Sequence, residues 1–305
     1  MRIVDFQQQL TVLASASDTA DSIQRIKAGM ALTTTLESYC AELHHVPIEI
    51  YRIILCFMHF RNAVIVAGHA ICTDCRNPYD EAAWILLPFQ HQEVACYIGH
   101  MEAGVRAAAA DPSALLVFSG GYSRKEAGPR SEAQSYYWIA DQLGWFGHPA
   151  VRDRAITEEF ARDSFENLLY SICRVREFSG NYPDHVTFVS WEFKRQRFDL
   201  HRESLQWPSA RFTYVGPNNP PRESEAFEAE ARNRAAYFLD PYSASPRFRE
   251  KREARNPFRR AAGYLNSCPE LAALMAHEGP ELFGGDLPWA TVSGRTQHST
   301  DRNSF

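Results

Sequence analysis

Short apolar runs that end in glycine, serine or proline alternate with longer polar segments along the middle of the chain. The runs are residues 63–67, 114–118, 185–189 and 211–215, and the last stops at Gly216-Pro217, where proline prevents a strand from continuing. The segments between or beside them, about 92–110, 131–143, 164–178 and 192–205, are long enough for crossover helices. Buried strands that alternate with helices predict an α/β fold, a Rossmann-like three-layer sandwich with a mostly parallel sheet.

The segments outside this pattern predict additional helices at both ends. Residues 18–43 have an apolar stripe at helical spacing, and residues 223–239 favour a charged helix. We therefore divide the chain into four parts. These are an N-terminal helical elaboration packed on the core (1–62), the Rossmann-like core (63–216), a C-terminal helical elaboration (217–283) and a flexible polar tail (284–305).

The composition excludes several classes of protein. The net charge is -5, so the overall field does not attract nucleic acid or an anionic membrane. The longest apolar run, 48–67, is interrupted by charged residues and cannot supply a membrane span, and residues 1–13 lack the apolar core of a secretory signal. Seven scattered cysteines do not resemble a disulfide framework, so we expect a reducing, cytoplasmic location.

Polar residues after the predicted strands are the first candidates for chemistry, because a parallel sheet binds ligands beyond the carboxyl ends of its strands. Ser119-Gly120-Gly121 follows one strand, and Arg124 and Lys125 come next. Two glycines let backbone amides approach a ligand closely, and the cations favour an anion cradle. The alternative is that the glycines only form a turn.

Two further segments carry charged residues next to predicted helices. In residues 158–167, Asp163 and Glu166 fit a capping box, which leaves Glu159 as a candidate general acid or base. In residues 190–197, Lys194 and Arg197 are three apart and share a helix face, so both can point at one anionic group. The stretch 247–260 is rich in arginine, but Glu250 and Glu253 favour a solvated helix face over a nucleic-acid patch.

In order and spacing, these segments resemble the YdcF-like family of domains of unknown function, to which the bacterial SanA and ElyC proteins belong. The matching motifs are Ser119-Gly120-Gly121, then Ser131-Glu132-Ala133, then Glu159 with Ser164, Glu166 and Asn167, and finally Phe193-Lys194 with Arg197. Gly68-His69-Ala70 partly matches the family's first glycine-rich loop. Two positions depart from the family pattern, with Ser164 in place of threonine and Lys194 in place of histidine.

The resemblance covers residues 63–215 and implies one crevice lined by the matched polar residues. The residues it implies for acid/base work are Glu159, Glu132 and Glu166. Those it implies for ligand binding are Gly68, Ser119, Gly120, Gly121, Ser164, Asn167, Lys194 and Arg197, to which the cations after the glycine loop add Arg124. Because lysine ordinarily has a pKa near ~10.4, Lys194 is expected to bind charge and not to shuttle protons.

Other motifs that mark enzyme classes are weak or absent. Cys72 and Cys75 have metal-ligand spacing but no second pair follows, and a redox pair is an alternative. The chain has no P-loop, no complete Gly-x-Gly-x-x-Gly and no Gly-x-Ser-x-Gly elbow. We therefore expect no metal.

The residues favour a small-molecule enzyme or binding protein that acts on an anionic, phosphorylated or nucleotide-like metabolite. One alternative is a protein that binds S-adenosylmethionine, with Glu132 or Glu159 accepting hydrogen bonds from the ribose. Another is a non-catalytic interaction or sensor protein whose arginine-rich C-terminal part contacts a partner.

Overall fold

The computed structural model describes residues 60–290. The predicted N-terminal helices lie outside the described residues.

Five parallel strands form the central sheet, and a separate antiparallel pair forms a small second sheet. The strands are β1 (Asn62–Ala67), β2 (Ile71–Cys72), β3 (Trp84–Ile85), β4 (Ala114–Ser119), β5 (Ala155–Glu158), β6 (His185–Val189) and β7 (Phe212–Val215). The order in the main sheet is β5-β4-β1-β6-β7, with β2 and β3 forming the small sheet. The predicted parallel α/β fold is confirmed. The sequence pattern missed β5 because it is short and ends in a cluster of acidic residues.

Helices flank the sheet on both sides. They are α1 (Val94–Ala110), α2 (Glu132–Gln142), α3 (Ser164–Ser179), α4 (Arg195–Ser204), α5 (Glu223–Leu239), α6 (Pro246–Ala254) and α7 (Ala272–Met275). The four predicted crossover helices correspond to α1–α4. Within residues 60–290, no helix has both the length and the apolar character needed to cross a membrane.

The alternation of side chains along β1 builds two cores. Val64 and Val66 pack with α1 and α2, whereas Ala63 and Ile65 pack on the other face with α3 and α4. Tyr237 and Phe248 from the C-terminal helices join this second core. Within the segment predicted as a flexible tail, Leu287 and Trp289 are buried in the same core, whereas residues 291–305 lie outside the described part.

The strand order places a topological switch point between β1 and β6. The chain leaves β1 for β4 on one side, and it later enters β6 on the other side of β1. The loops that follow β1 and β6 therefore diverge, and this divergence opens a crevice at the carboxyl edge of the sheet.

Candidate functional site

A cavity of about 370 Å³ lies beyond the carboxyl ends of β1, β4 and β6. The loop after β1 contributes Gly68 and His69, and the segment after β6 contributes Ser190 through Lys194 except for Glu192. Helices α5 and α6 and the residue after α6 close the cavity with Glu230, Lys251 and Arg255. The C-terminal helices are thus part of the cavity wall.

The structure brings most of the predicted site residues to this cavity. Those that line it are Gly68, Arg124, Glu132, Ser164, Asn167, Lys194 and Arg197. Those that do not line it are Ser119, Gly120, Gly121, Glu159 and Glu166. The five exceptions have other hydrogen-bond partners or structural roles.

The backbone amides of the glycine loop are not available as an anion cradle. The Gly120 amide donates to the Glu158 carbonyl at 3.0 Å, and the Gly121 amide donates to the Ala161 carbonyl at 2.8 Å. Because each amide has one proton to donate, the expected cradle at these two amides is wrong. The glycines join β4 to the segment after β5.

The position of Glu132 explains why residues 68 and 120 are glycines. A Cβ atom on Gly68 would lie 2.7 Å from the Cβ of Glu132, and one on Gly120 would lie 2.8 Å from it. Glycine therefore lets the Glu132 side chain reach the cavity between the two loops. The Ser123 hydroxyl donates a hydrogen bond to this carboxylate.

Ser119 lies beneath the cavity and belongs to a buried polar network. Its hydroxyl donates to the Glu158 carboxylate at 2.8 Å. Glu158 also accepts hydrogen bonds from the Phe160 and Ala161 amides and from the Tyr264 hydroxyl. Complete burial raises the pKa of Glu158 to about 7, although these bonds favour the ionised form.

Glu159 points away from the cavity. Its carboxylate accepts hydrogen bonds from Tyr122 at 2.7 Å and from Gln134 at 3.1 Å, and Arg260 lies 3.6 Å away. Arg260 also lies over the Tyr122 ring, 4.1 Å from its centroid. The expectation that Glu159 is a cavity acid or base is therefore not met, because its carboxylate does not line the cavity and is bound by Tyr122 and Gln134.

Glu166 has a structural role at the start of α3. The Asp163 carboxylate caps the helix by accepting from the Glu166 amide at 2.9 Å. The Glu166 side chain does not complete a capping box but accepts from the Arg162 amide and binds the Arg162 guanidinium, and Arg252 lies 3.6 Å away. This carboxylate is buried among arginines and is not a cavity acid.

Several cations in the cavity wall have no carboxylate partner. Among the described residues, Arg124, Lys194, Lys251 and Arg255 have no carboxylate oxygen within 4.0 Å, whereas Arg197 is paired with Glu230. Arg124 and Arg255 donate only to the backbone carbonyls of Ser123 and Arg162. The opposing wall carries Glu93 and Glu132, which accept from hydroxyls. Unpaired positive charge therefore dominates the cavity.

Arg197 is buried and makes the only ion pair between cavity-lining residues of α4 and α5 in the described chain. Its Nε donates to Glu230 at 2.9 Å, and its Nη1 lies 3.4 Å from the Ser164 hydroxyl. Ser164 also lies 2.9 Å from His201 Nε2 and 3.2 Å from the Tyr237 hydroxyl. Arg197 therefore fixes the wall and is already neutralised.

Burial and like charges shift the pKa of the basic groups in the cavity. Desolvation, together with Lys194, lowers the pKa of His69 well below its usual range. Desolvation and the neighbouring Arg197 lower that of Lys194 well below its usual range, and desolvation and Arg255 lower that of Lys251 to about 8. The expectation of an ordinary lysine pKa at Lys194 is therefore corrected.

Sequence reasoning missed four basic groups of the cavity, which are His69, Arg162, Lys251 and Arg255. His69 lies two residues after the end of β1, at the switch point, a position that could have marked it as a site residue. Lys251 and Arg255 were assigned to a solvated helix face, and their spacing of four residues places them on the same side of α6 and its C-terminal end. Nothing in that spacing shows that the face is turned toward the sheet edge.

The cysteine pair near β2 shows no metal site. Cys72 and Cys75 are free thiols, and Cys75 Sγ lies 3.9 Å from the Ser135 carbonyl. No group of three or more metal-binding side chains occurs among residues 60–290. Hydrogen bonding between the two thiols raises the pKa of Cys72 and lowers that of Cys75.

Comparisons with known proteins give one significant similarity. The chain is 26% identical over 268 residues to an uncharacterised protein of Saccharomyces cerevisiae, YOR238W, and the alignment covers 68% of this chain and 88% of the yeast protein. No family model matches the chain. No solved structure matches it significantly.

Proposed function

We propose that the cavity binds a small anionic metabolite, either phosphorylated or nucleotide-like. The observation that carries this proposal is the set of four cations without carboxylate partners, Arg124, Lys194, Lys251 and Arg255, around one cavity. Charges of one sign in a partly desolvated cavity repel one another, and a bound anion relieves that repulsion. The switch-point position supports the same proposal, because ligands of parallel α/β sheets bind there.

The acid/base residue of this proposal is Glu132, with Glu93 and His69 in the same cavity. Glu132 lines the cavity and is held by Ser123. Desolvation raises the pKa of Glu93, and the Tyr97 hydroxyl donates to it at 2.5 Å. A carboxyl group and a neutral imidazole in one cavity form a reasonable pair for proton transfer.

We also propose that the chain is a distant member of the YdcF-like family. Three of the four matched motifs contribute Glu132, Asn167 and Lys194 to one cavity, and Gly68 from the partly matched loop lines the same cavity. Such convergence is expected of residues that act together, although it supports the site and not a reaction.

The charge of the cavity disfavours the two alternative functions. S-adenosylmethionine carries a positive sulfonium group, which four unpaired cations would repel. The arginine-rich C-terminal part, which a sensor hypothesis assigns to a partner protein, turns Lys251 and Arg255 toward the cavity.

Thermal unfolding in the presence of ligands tests the proposed function. The panel is inorganic phosphate, pyrophosphate, nucleoside phosphates, sugar phosphates and S-adenosylmethionine. An anion present at a hundred times its dissociation constant should stabilise the protein by about 2.7 kcal/mol. Lys251→Ala should reduce the shift, whereas Lys125→Ala, at an exposed lysine outside the cavity, should not. Stabilisation by S-adenosylmethionine and by none of the anions would contradict the proposal.

A further inference from the structure

Lys194 is a half-buried lysine whose amino group has no hydrogen-bond acceptor among residues 60–290. It ends a short helical turn, Glu192–Lys194, between β6 and α4. No nitrogen or oxygen atom in the described part of the chain accepts a hydrogen bond from its Nζ, and the ring of Phe193 lies 5.5 Å away in a cation–π contact. A half-buried ammonium group without carboxylate or carbonyl acceptors is stabilised less than a hydrogen-bonded one, and a cation–π contact offsets only part of that loss.

Most of the charged groups around Lys194 also disfavour its charged form. They are Arg197 from α4, Lys251 and Arg255 from α6 and the residue after it, and Glu93 just before α1. Three cations oppose one carboxylate, and desolvation adds to their effect in lowering the Lys194 pKa. A lysine that is desolvated and next to other cations keeps part of its population as the neutral amine, which is the nucleophilic form.

We propose that Lys194 reacts with the carbonyl group of an anionic aldehyde or ketone and forms an imine with it. This inference rests on the proposed function, because the other three unpaired cations, Arg124, Lys251 and Arg255, would hold the anionic group of the same ligand. It narrows the ligand to metabolites that carry both an anionic group and a carbonyl group.

The reaction balances without an added oxidant or reductant. The amine nitrogen bonds to the carbonyl carbon, whose π electrons move to oxygen, and proton transfer gives a carbinolamine. Loss of water then forms the C=N bond, and both nitrogen protons leave with the oxygen. His69 lines the same cavity and is kept neutral by its lowered pKa, so its imidazole is available to carry a proton in the dehydration.

The lysine content of the chain makes the inference easy to test. The chain has four lysines, Lys27, Lys125, Lys194 and Lys251. Two of them line the cavity, and Lys125 is exposed elsewhere. Peptide mapping can therefore assign any covalent adduct to one residue.

The experiment uses pyridoxal 5′-phosphate as a probe, since it combines a phosphate with an aldehyde. The full chain is incubated with a small excess of probe at neutral pH, reduced with borohydride and mapped by mass spectrometry. The adduct should form at Lys194. Its rate of formation there should be at least about ten times the rate at Lys125, because lowering a lysine pKa by one unit gives about tenfold more neutral amine. The variant Lys194→Arg keeps the positive charge and should abolish the adduct, whereas Lys125→Arg should leave the amount of adduct unchanged.

Pyridoxine 5′-phosphate separates failure of this inference from failure of the proposed function. It has the same phosphate and ring but an alcohol in place of the aldehyde, so it binds without forming an imine. Stabilisation of the protein by this compound with no adduct at Lys194 would overturn the imine and leave anion binding intact. An adduct confined to Lys251 or spread equally over all lysines would also overturn it. If neither compound binds, both proposals fail.

Discussion

The side-chain amide of Asn167 donates a hydrogen bond to the Ser119 hydroxyl over 2.9 Å. Asn167 lines the cavity, and Ser119 in turn donates to the buried Glu158 carboxylate at 2.8 Å. A completely buried titratable group therefore lies two hydrogen bonds from the cavity. The protonation state of Glu158 should therefore affect the stability of the folded protein.

Glu158 should make the stability of the protein depend on pH. Its folded pKa of about 7 lies above the usual glutamate value, so the folded state binds the proton more tightly. The stabilisation is complete below the unfolded pKa of about 4.3 and is lost as the pH rises through about 7, with a change on the order of 1–3 kcal/mol. Urea unfolding of wild type and Glu158→Gln between pH 4.5 and 8 measures this. If the free energy of unfolding changes equally with pH in the two proteins, the prediction is wrong.

The Arg197–Glu230 pair should be costly to break from one side. Both groups are buried, so Glu230→Ala leaves an unpaired guanidinium and should lower the free energy of unfolding by about 3–5 kcal/mol. The double variant Arg197→Met with Glu230→Met should lose less, because no charge remains buried. Added phosphate should stabilise Glu230→Ala more than wild type, since Arg197 then becomes available to an anion. Chemical denaturation with and without phosphate measures these differences.

Lys251→Gln should stabilise the free protein and weaken anion binding. Its removal relieves repulsion with Arg255, which should raise the free energy of unfolding by about 1 kcal/mol. The folded pKa of about 8 lies below the usual lysine value, so the unfavourable contribution of Lys251 is present below pH 8 and fades as the pH rises toward about 10.4. The matched control Lys125→Gln should change stability by less than about 0.5 kcal/mol. If Lys251→Gln lowers the free energy of unfolding, Lys251 is not destabilised by repulsion from the neighbouring cations and the prediction is wrong.

Glu132→Gln and Glu159→Gln should differ although both carboxylates belong to the same sequence resemblance. Glu132 lines the cavity, so its amide variant should change ligand affinity and remove any turnover that needs a carboxyl proton. Glu159 holds Tyr122 and Gln134 outside the cavity, so its variant should lose about 1–2 kcal/mol of stability and keep ligand affinity. Isothermal titration and thermal unfolding of both variants give the comparison. Equal loss of affinity at both positions would contradict the assignment.

Patterns within single elements predicted the fold and part of the site. Short apolar runs separated by long polar segments indicated a parallel sheet with crossover helices, because strand and helix patterns are local properties of the sequence. The cap at Asp163 was also predictable, since it needs only an acidic side chain and the amide three residues later. Gly68, Glu132, Asn167 and Lys194 were chosen through the resemblance to the YdcF-like family, and all four line the cavity.

The tertiary structure decided which of these residues face the cavity and how many charges remain unpaired. The amides of Gly120 and Gly121 looked available in sequence, but carbonyls after β5 occupy them. Lys251 became a cavity residue because α6 packs Phe248 into the core and turns its basic face toward the sheet edge. The physical reason is that hydrogen-bond partners and ion pairs are contacts between residues far apart in the chain, and local sequence fixes none of them.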